Sequence, residues 1–523
     1  MKKIIFFFLL AVCIAFFSSC AAKNAEQPIS DNNLNLFEEP APTPTVGGVL
    51  RLSMHDVDTL NPLATKSAAN YEMLSLCYDG LFKLSSNLYP ENQLCESYFL
   101  SDDGLTLTLN IKSGVAFHDG SVVSADDVAF SILFARDSGG VLSQSLARIT
   151  DVAALANSVK ITLSSPEFNF ISKLTFPILK SDAAALGADF VPVGTGIFKL
   201  TEYEMSKTLH FTACENHFSG KMPYIRDVRV DIVKDKAATL SMFENSLTDV
   251  LLPDISDEDI ASSQRNCREA NKAYGNFIFL GVNNQHPILL DSNLKRVISD
   301  SVNRDALVSL NKTRLKKTTI PVYPTSWLYP APPENDYLPE SAKAAILSLG
   351  WSDTDSDGIL DKTIMNEKTD LVLDILVNDS QDKIRIAELI KKNLEDIGIK
   401  TSVTILPFWE YTERITNKSY DLFIGEVRFS DNQNISDFVS GNGNLFGAYF
   451  EEIYTALDEI SRIGDKDALK VRFPSLCASF SENLPLIGLY FDDDPVLINN
   501  RIKGNITPVR GNTFANICDW FIY

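Results

Sequence analysis

Residues 371–405 constrain the fold more than any other stretch. Leu371 to Val377 is a short apolar run of strand length, and the spacing predicts a helix over 382–397. Ala387, Ile390, Leu394 and Ile397 share one face of that helix, and Gly398 stands at its C-terminal stop. Ile399, Thr401, Val403 and Ile405 then alternate as a second strand. Strand, helix and strand with short joins make a βαβ unit, so its strands run parallel with a right-handed crossover. Elsewhere the pattern is antiparallel. Leu105 to Ile111 alternates strictly, Val159 to Leu163 is similar, and Phe198–Tyr203 with Thr208–Thr212 reads as a hairpin. Asp227 to Val233 is another strand, leading into a helix around Ala237 to Ser246. Hairpins and a βαβ unit together predict mixed α/β domains, several of them in 523 residues.

The ends of the chain say where it works. Met1 to Cys20 carries Lys2 and Lys3, then an apolar run from Ile4 to Phe17. That run is short of the roughly 18 residues a membrane span requires and fits a secretory signal. It closes on Phe17-Ser18-Ser19-Cys20, which resembles a bacterial lipobox; the resemblance implies cleavage before Cys20 and lipid on its sulfur and amine. Residues 20–46 are rich in Asn, Pro, Glu and Ala without a period and read as a flexible tether reaching roughly 30 Å. The formal charge of -21 opposes phosphate backbones and excludes nucleic acid as a partner. Of eight cysteines, Cys13 leaves with the signal and Cys20 is assigned to lipid. Cys77, Cys95, Cys214, Cys267, Cys477 and Cys518 remain, and the sequence does not choose among their pairings. They are far apart and contain no CxxC, against a zinc site.

The stretch NIKSGVAFHDGSVVSADDVAFS, residues 110–131, crowds His118, Asp119, Ser121 and Ser124 together as a hydrolase might. Ser124, however, precedes a helix with the apolar stripe Ala125, Val128, Ala129, Ile132 and Leu133, so it is the N-cap. Asp127 stands where a capping box carries its acid, and Gly120 supplies the turn before it. The structural reading is preferred. GxSxG, HExxH and the Walker loop are all absent.

The same stretch resembles the extracellular solute-binding proteins of family 5, the dipeptide, oligopeptide and nickel receptors of bacterial ABC importers. Asp102-Asp103-Gly104 and GVAFHDGSVVSADDVAFS carry the resemblance. Further pieces follow in the family's order: Leu60-Asn61-Pro62, Tyr78-Asp79-Gly80-Leu81, Val193 to Phe198, Asn216-His217-Phe218, Asn283-Asn284, Arg296 with Asn303-Arg304, Leu349-Gly350-Trp351, and Tyr420-Asp421-Leu422. Together they span about residues 47–500.

The resemblance implies a two-lobed, periplasmic-binding-protein-like α/β fold (class II type) with mixed sheets, a hinge, and an extra domain on the first lobe. The first lobe would take residues 47–85, 190–280 and 490–523, the extra domain 86–189 and the second lobe 281–489, after a signal at 1–19. It also implies a monomeric receptor without cofactor or enzymatic activity, lipid-anchored outside the cell membrane. Such a receptor encloses a peptide and delivers it to ABC-transporter permease subunits. A nickel chelate, an oligosaccharide or another small solute is the alternative ligand, and a secreted hydrolase the rival class. Five histidines without close spacing do not favour metal.

Carried over residue by residue, the ligand-binding candidates are Trp409, Arg428, Asp431, Tyr490 and Ser67. Asp431 takes the place of the acid that pairs with a peptide's amino group in relatives, a charge-assisted bond. Arg428 stands where the family often has Trp, and Asn434-Ile435 where it has Asp-Pro. An arginine in a cleft suits a carboxylate, so this pocket need not read an amino terminus. Asp353, Asp355, Asp357 and Asp361 follow the opening of a calcium loop, but Ile364 stands where its bidentate Glu belongs. The preferred reading is an acidic Gly turn before a β-hairpin, after a helix capped by Ser341; calcium is the weaker candidate.

Overall fold

The computed structural model describes residues 42–55, 57–182, 190–252, 259–260, 263, 266–309, 313–330, 337–439 and 444–523. The signal at 1–19, Cys20 and most of the tether lie outside them. Two strands absent from the expected set organise the rest. Cys267–Val282 and Leu486–Asn499 are 16 and 14 residues long and pair antiparallel along nearly their whole length. On one side they carry Leu422–Val427, Val372–Asn378 and Lys400–Leu406; on the other Val250–Leu251, Val49–Met54, Asp227–Ile232, Thr208–Ala213 and Phe198–Glu204. Leu315–Lys317 completes an eleven-stranded sheet among the described residues.

The βαβ unit stands on one wing of this sheet. Val372–Asn378 pairs in parallel with Lys400–Leu406, and Gln381–Asp396 is the helix between them. Gly398 adopts φ +97, a conformation that an L-residue pays for in strain. The hairpin Phe198–Glu204 and Thr208–Ala213 forms on the other wing. A separate four-stranded sheet, Cys95–Leu100, Thr106–Ile111, Ser158–Leu163 and Ile149–Ala154, carries the helix Ala125–Asp137. That helix starts as its sequence requires: Ser124 Oγ accepts from Asp127 N at 3.2 Å, and Asp127 Oδ2 accepts from Ser124 N at 2.9 Å. One cap differs. The helix expected to start at Ser341 begins at Pro339, because proline's locked φ and missing N–H suit the first helical position.

The long strands break register together. Between Lys272 and Asn276 the ladder shifts, Tyr274 takes φ +73, and its N–H donates to Asp493 Oδ1 at 3.1 Å. Tyr323 Oη donates to Asp493 Oδ2 at 2.8 Å. Burial raises the Asp493 pKa to about 7, since these bonds and the charge of Lys316 only partly offset its desolvation. An unfolded aspartate ionises near pH 4, whereas Asp493 keeps its proton up to about 7 in the fold. Stability should therefore fall as pH rises from 4 to 7, by on the order of 2–4 kcal/mol from this group, and Asp493→Asn should flatten that window. Denaturation of both proteins at several pH values checks it.

All six cysteines among the described residues are free thiols. Cys77, Cys95 and Cys477 are buried, and burial pushes each pKa up to about 12, so they pack as small apolar groups. No described helix is long and apolar enough to cross a membrane.

Candidate functional site

Beside the register break lies a cavity of about 1140 Å³. The helix Ala68–Leu74 forms part of its wall, with Ser67 as N-cap. Ser67 lines the cavity, and its hydroxyl oxygen accepts from Asn70 N at 3.3 Å. Glu72, on that helix, meets Lys272 at 2.7 and 2.8 Å, and Thr513 N at 3.1 Å. Both charged side chains are nearly sealed, 3% and 5% exposed, so the cavity wall ties a helix, a long strand and the C-terminal segment into one polar knot.

A second knot holds another part of the wall. Asp79 accepts from Gln93 Nε2, from Thr195 Oγ1 at 2.9 Å and from His217 Nε2 at 3.1 Å. His217 also contacts Ser219 Oγ through Nδ1 at 2.6 Å and packs on Phe218, centroids 4.5 Å apart. Two guanidiniums close the side nearest the long strands. Arg428 pairs with Asp494, and Arg510 Nε lies 2.8 Å from Asp431 Oδ1 while its Nη1 donates to Phe429 O. Arg510 also sits 5.4 Å over the ring of Tyr274, the residue at the register break. The Asp431 loop is anchored from behind by Asn432, which is buried and donates to Glu167 Oε1 at 2.9 Å and Phe168 O at 2.8 Å.

Three of the five ligand-binding candidates, Ser67, Arg428 and Asp431, line this cavity. The other two are placed elsewhere. Trp409 is 67% exposed on the helix Phe408–Thr416, whose buried face is Tyr411 and Ile415; helical spacing turns Trp409 away from both and from the cavity. Tyr490 is buried inside the long strand, opposite Ile278 and Lys317 in the ladder, and packs in an apolar core outside the lining. Arg510, Glu72 and Lys272 are charged lining side chains that the sequence did not single out. Arg510 meets a partner more than seventy positions away, and no local pattern signals such a contact.

The two remaining sequence features resolve locally. His118 Nε2 meets Gly196 O at 2.9 Å and burial lowers its pKa, while Ser121 Oγ bonds Asp119 at 2.6 Å and Ser124 caps its helix. No serine hydroxyl in this stretch meets the imidazole, so nucleophile and base are not brought together. In the acidic turn, Asp353, Asp355 and Asp361 offer oxygens within 4.8 Å of one another, and Asp357 stands outside the group. Lys368 already supplies countercharge: it pairs with Asp355 and lies 3.7 Å from Asp361 and 3.6 Å from Asp370. The hairpin Asp361–Ile364 with Glu367–Asp370 follows the turn.

A profile of the bacterial extracellular solute-binding proteins, family 5 (middle part), matches residues 89–444. The chain belongs to this family. It is therefore an extracytoplasmic solute-binding protein that works with an ABC permease, not an enzyme. The oligopeptide-binding protein AppA of Bacillus subtilis (strain 168) is 23% identical over 526 residues, covering 95% of this chain and 94% of AppA. Heme-binding protein A of Haemophilus influenzae is 23% identical over 470 residues, covering 80% and 81%. The nickel ABC transporter structure from Bacillus halodurans superposes with a TM-score of 0.73 at 18% identity, covering 89% of this chain and 98% of that one. At this identity the superposition speaks for the fold, the two-lobed architecture of these proteins.

Proposed function

We propose that this protein is a lipid-anchored receptor that captures peptides between its two lobes and hands them to the permease of an ABC importer. The observation that carries the reading is the cavity: about 1140 Å³, above the roughly 300–1,000 Å³ of drug-sized sites and large enough for a short peptide. The full-length similarity to an oligopeptide-binding protein supports it. Cys20 would bear the lipid, and residues 20–46 would hold a monomeric body off the membrane. The lobes would divide as 47–85, 190–280 and 490–523 against 281–489, with 86–189 as the extra domain. In that division Arg510 pairs with Asp431 across the lobes, beside long strands common to both. Ligand would favour the closed form because only there do both lobes touch it.

Ser67, Arg428 and Asp431 would contact the ligand. Charged walls suit a peptide better than a neutral oligosaccharide. His55 and His217 are the lining histidines, and His217 is already engaged by Asp79, which disfavours a nickel chelate held by imidazoles. Arg428→Ala with Asp431→Ala should weaken peptide binding by about tenfold or more, because each removes one side of a charge-assisted contact. The measurement is calorimetric titration with peptides selected by thermal stabilisation from a library. Unchanged affinity would remove both residues from the site, and a library without a single stabilising peptide would defeat the peptide reading.

A further inference from the structure

The chain as a whole is strongly acidic, with a formal charge of -21, yet its cavity is not. Eight lysine and arginine side chains line it against five aspartates and glutamates. Three of those acids are paired: Glu72 is sealed in the wall with Lys272, Asp431 meets Arg510, and Asp494 meets Arg428 in a pair that is partly exposed. Lys173 is likewise taken by Glu167. Asp79 is enclosed by Gln93, Thr195 and His217. Lys66, Lys83, Lys112 and Lys221 remain, and the last three gather where Phe218 and Cys518 line the cavity. The Lys112 ammonium lies 5.3 Å from the Phe218 centroid and donates to Gln93 O at 2.8 Å. Lys83 and Lys221 are both near enough to the Cys518 thiol to act on it electrostatically. The pair of Lys83 with Glu91, at 3.3 Å, is half exposed on both sides and therefore weak. Among the lining residues, Asp519 is the acid left to oppose these ammoniums apart from enclosed Asp79.

Asp431, which would receive a peptide's amino group, is already covered by an internal guanidinium. An incoming ammonium would have to displace Arg510 from it, whereas an incoming carboxylate finds Lys83, Lys112 and Lys221 outside any buried ion pair. A concave, low-dielectric wall focuses this positive potential and raises the local concentration of anions despite the repulsive exterior.

We propose that the ligand is polyanionic, a peptide or other solute carrying two or more carboxylates, with its anionic end seated against Lys83, Lys112 and Lys221. The inference rests on the cavity being the ligand site of the receptor proposed above. Calorimetric titration of the purified protein with three pentapeptides, penta-alanine and its two-Glu and two-Lys counterparts, and with tricarballylate tests it. The two-Glu peptide should bind about tenfold more tightly than penta-alanine at low salt, and this preference should shrink as NaCl rises through about 0.5 M. Lys83→Gln/Lys112→Gln/Lys221→Gln should abolish the preference of the two-Glu peptide over penta-alanine, and a preference that survives in this variant would overturn the inference. Equal or tighter binding of the neutral or two-Lys peptide would overturn the inference and leave the peptide receptor standing. Tricarballylate binding without any peptide would keep the inference and defeat the peptide reading; no binding of any probe would defeat both. If the triple variant does not fold, the ranking and salt response of the unaltered protein still decide.

Discussion

Lys272→Met should lower the unfolding free energy by about 3–5 kcal/mol, among the largest losses a single substitution in this protein can cause. Methionine fills similar space, so the loss is not of packing. It leaves the Glu72 carboxylate, 5% exposed, with Thr513 as its remaining donor where two ammonium contacts at 2.7 and 2.8 Å stood. A buried charge without its counterion costs more than the pair ever contributed. For the same reason Glu72→Gln combined with Lys272→Met should recover much of the loss, and a cycle of both singles and the double variant isolates the coupling. Urea denaturation of the four proteins provides the measurement. A single-variant loss below about 1 kcal/mol would mean that cavity water solvates Glu72 as well as Lys272 does. The C-terminal segment should loosen along with stability, because Thr513 reaches the site through Glu72.

Gly275→Ala should cost about 3 kcal/mol or more. A Cβ on Gly275 would stand 1.8 Å from the Asp492 carbonyl oxygen and 2.7 Å from its carbon, and both are backbone of the partnered long strand. No rotamer relieves such a contact; the strands must separate where their register already shifts. Separation would pull Tyr274 N from Asp493 and tilt the ring over which Arg510 sits, so ligand affinity should fall with stability. Gly358→Ala is the matched control. It has φ +85 but nothing within 4 Å, so its cost is backbone strain of about 1 kcal/mol. Thermal unfolding of the two variants should separate them clearly, and equal shifts would show that the strand pair yields easily at Gly275.

The register break explains why the site could be read only in part. The long strands escaped notice because neither pattern fits them. Phe277 to Val282 and Leu486 to Tyr490 are buried on both faces, which removes alternation, and Asp492, Asp493 and Asp494 place three acids in succession where a turn would be expected. Trp409 and Tyr490 stand outside the cavity lining for a related reason. A family position says which loop or strand a residue occupies, while one helical step or one step along a strand decides whether it meets the cavity or the core.

By itself the sequence determined what depends on neighbours a few residues apart. The βαβ unit at 372–406, the capping box of Ser124 and Asp127, the hairpin at 198–213 and the acidic turn before Asp361 are all of this kind. Ordered motifs over residues 47–500 also determined the family. Tertiary structure alone decided the cavity's chemistry. Glu72 with Lys272 and Thr513, Asp79 with Thr195 and His217, and Asp431 with Arg510 join residues some 80 to 440 positions apart. A charge in a sequence carries no mark of its partner. Whether it stays free for a ligand or is neutralised within the wall is settled only when the sheet brings the two together, and in this protein that leaves Lys66, Lys83, Lys112 and Lys221 in the cavity lining outside its buried ion pairs.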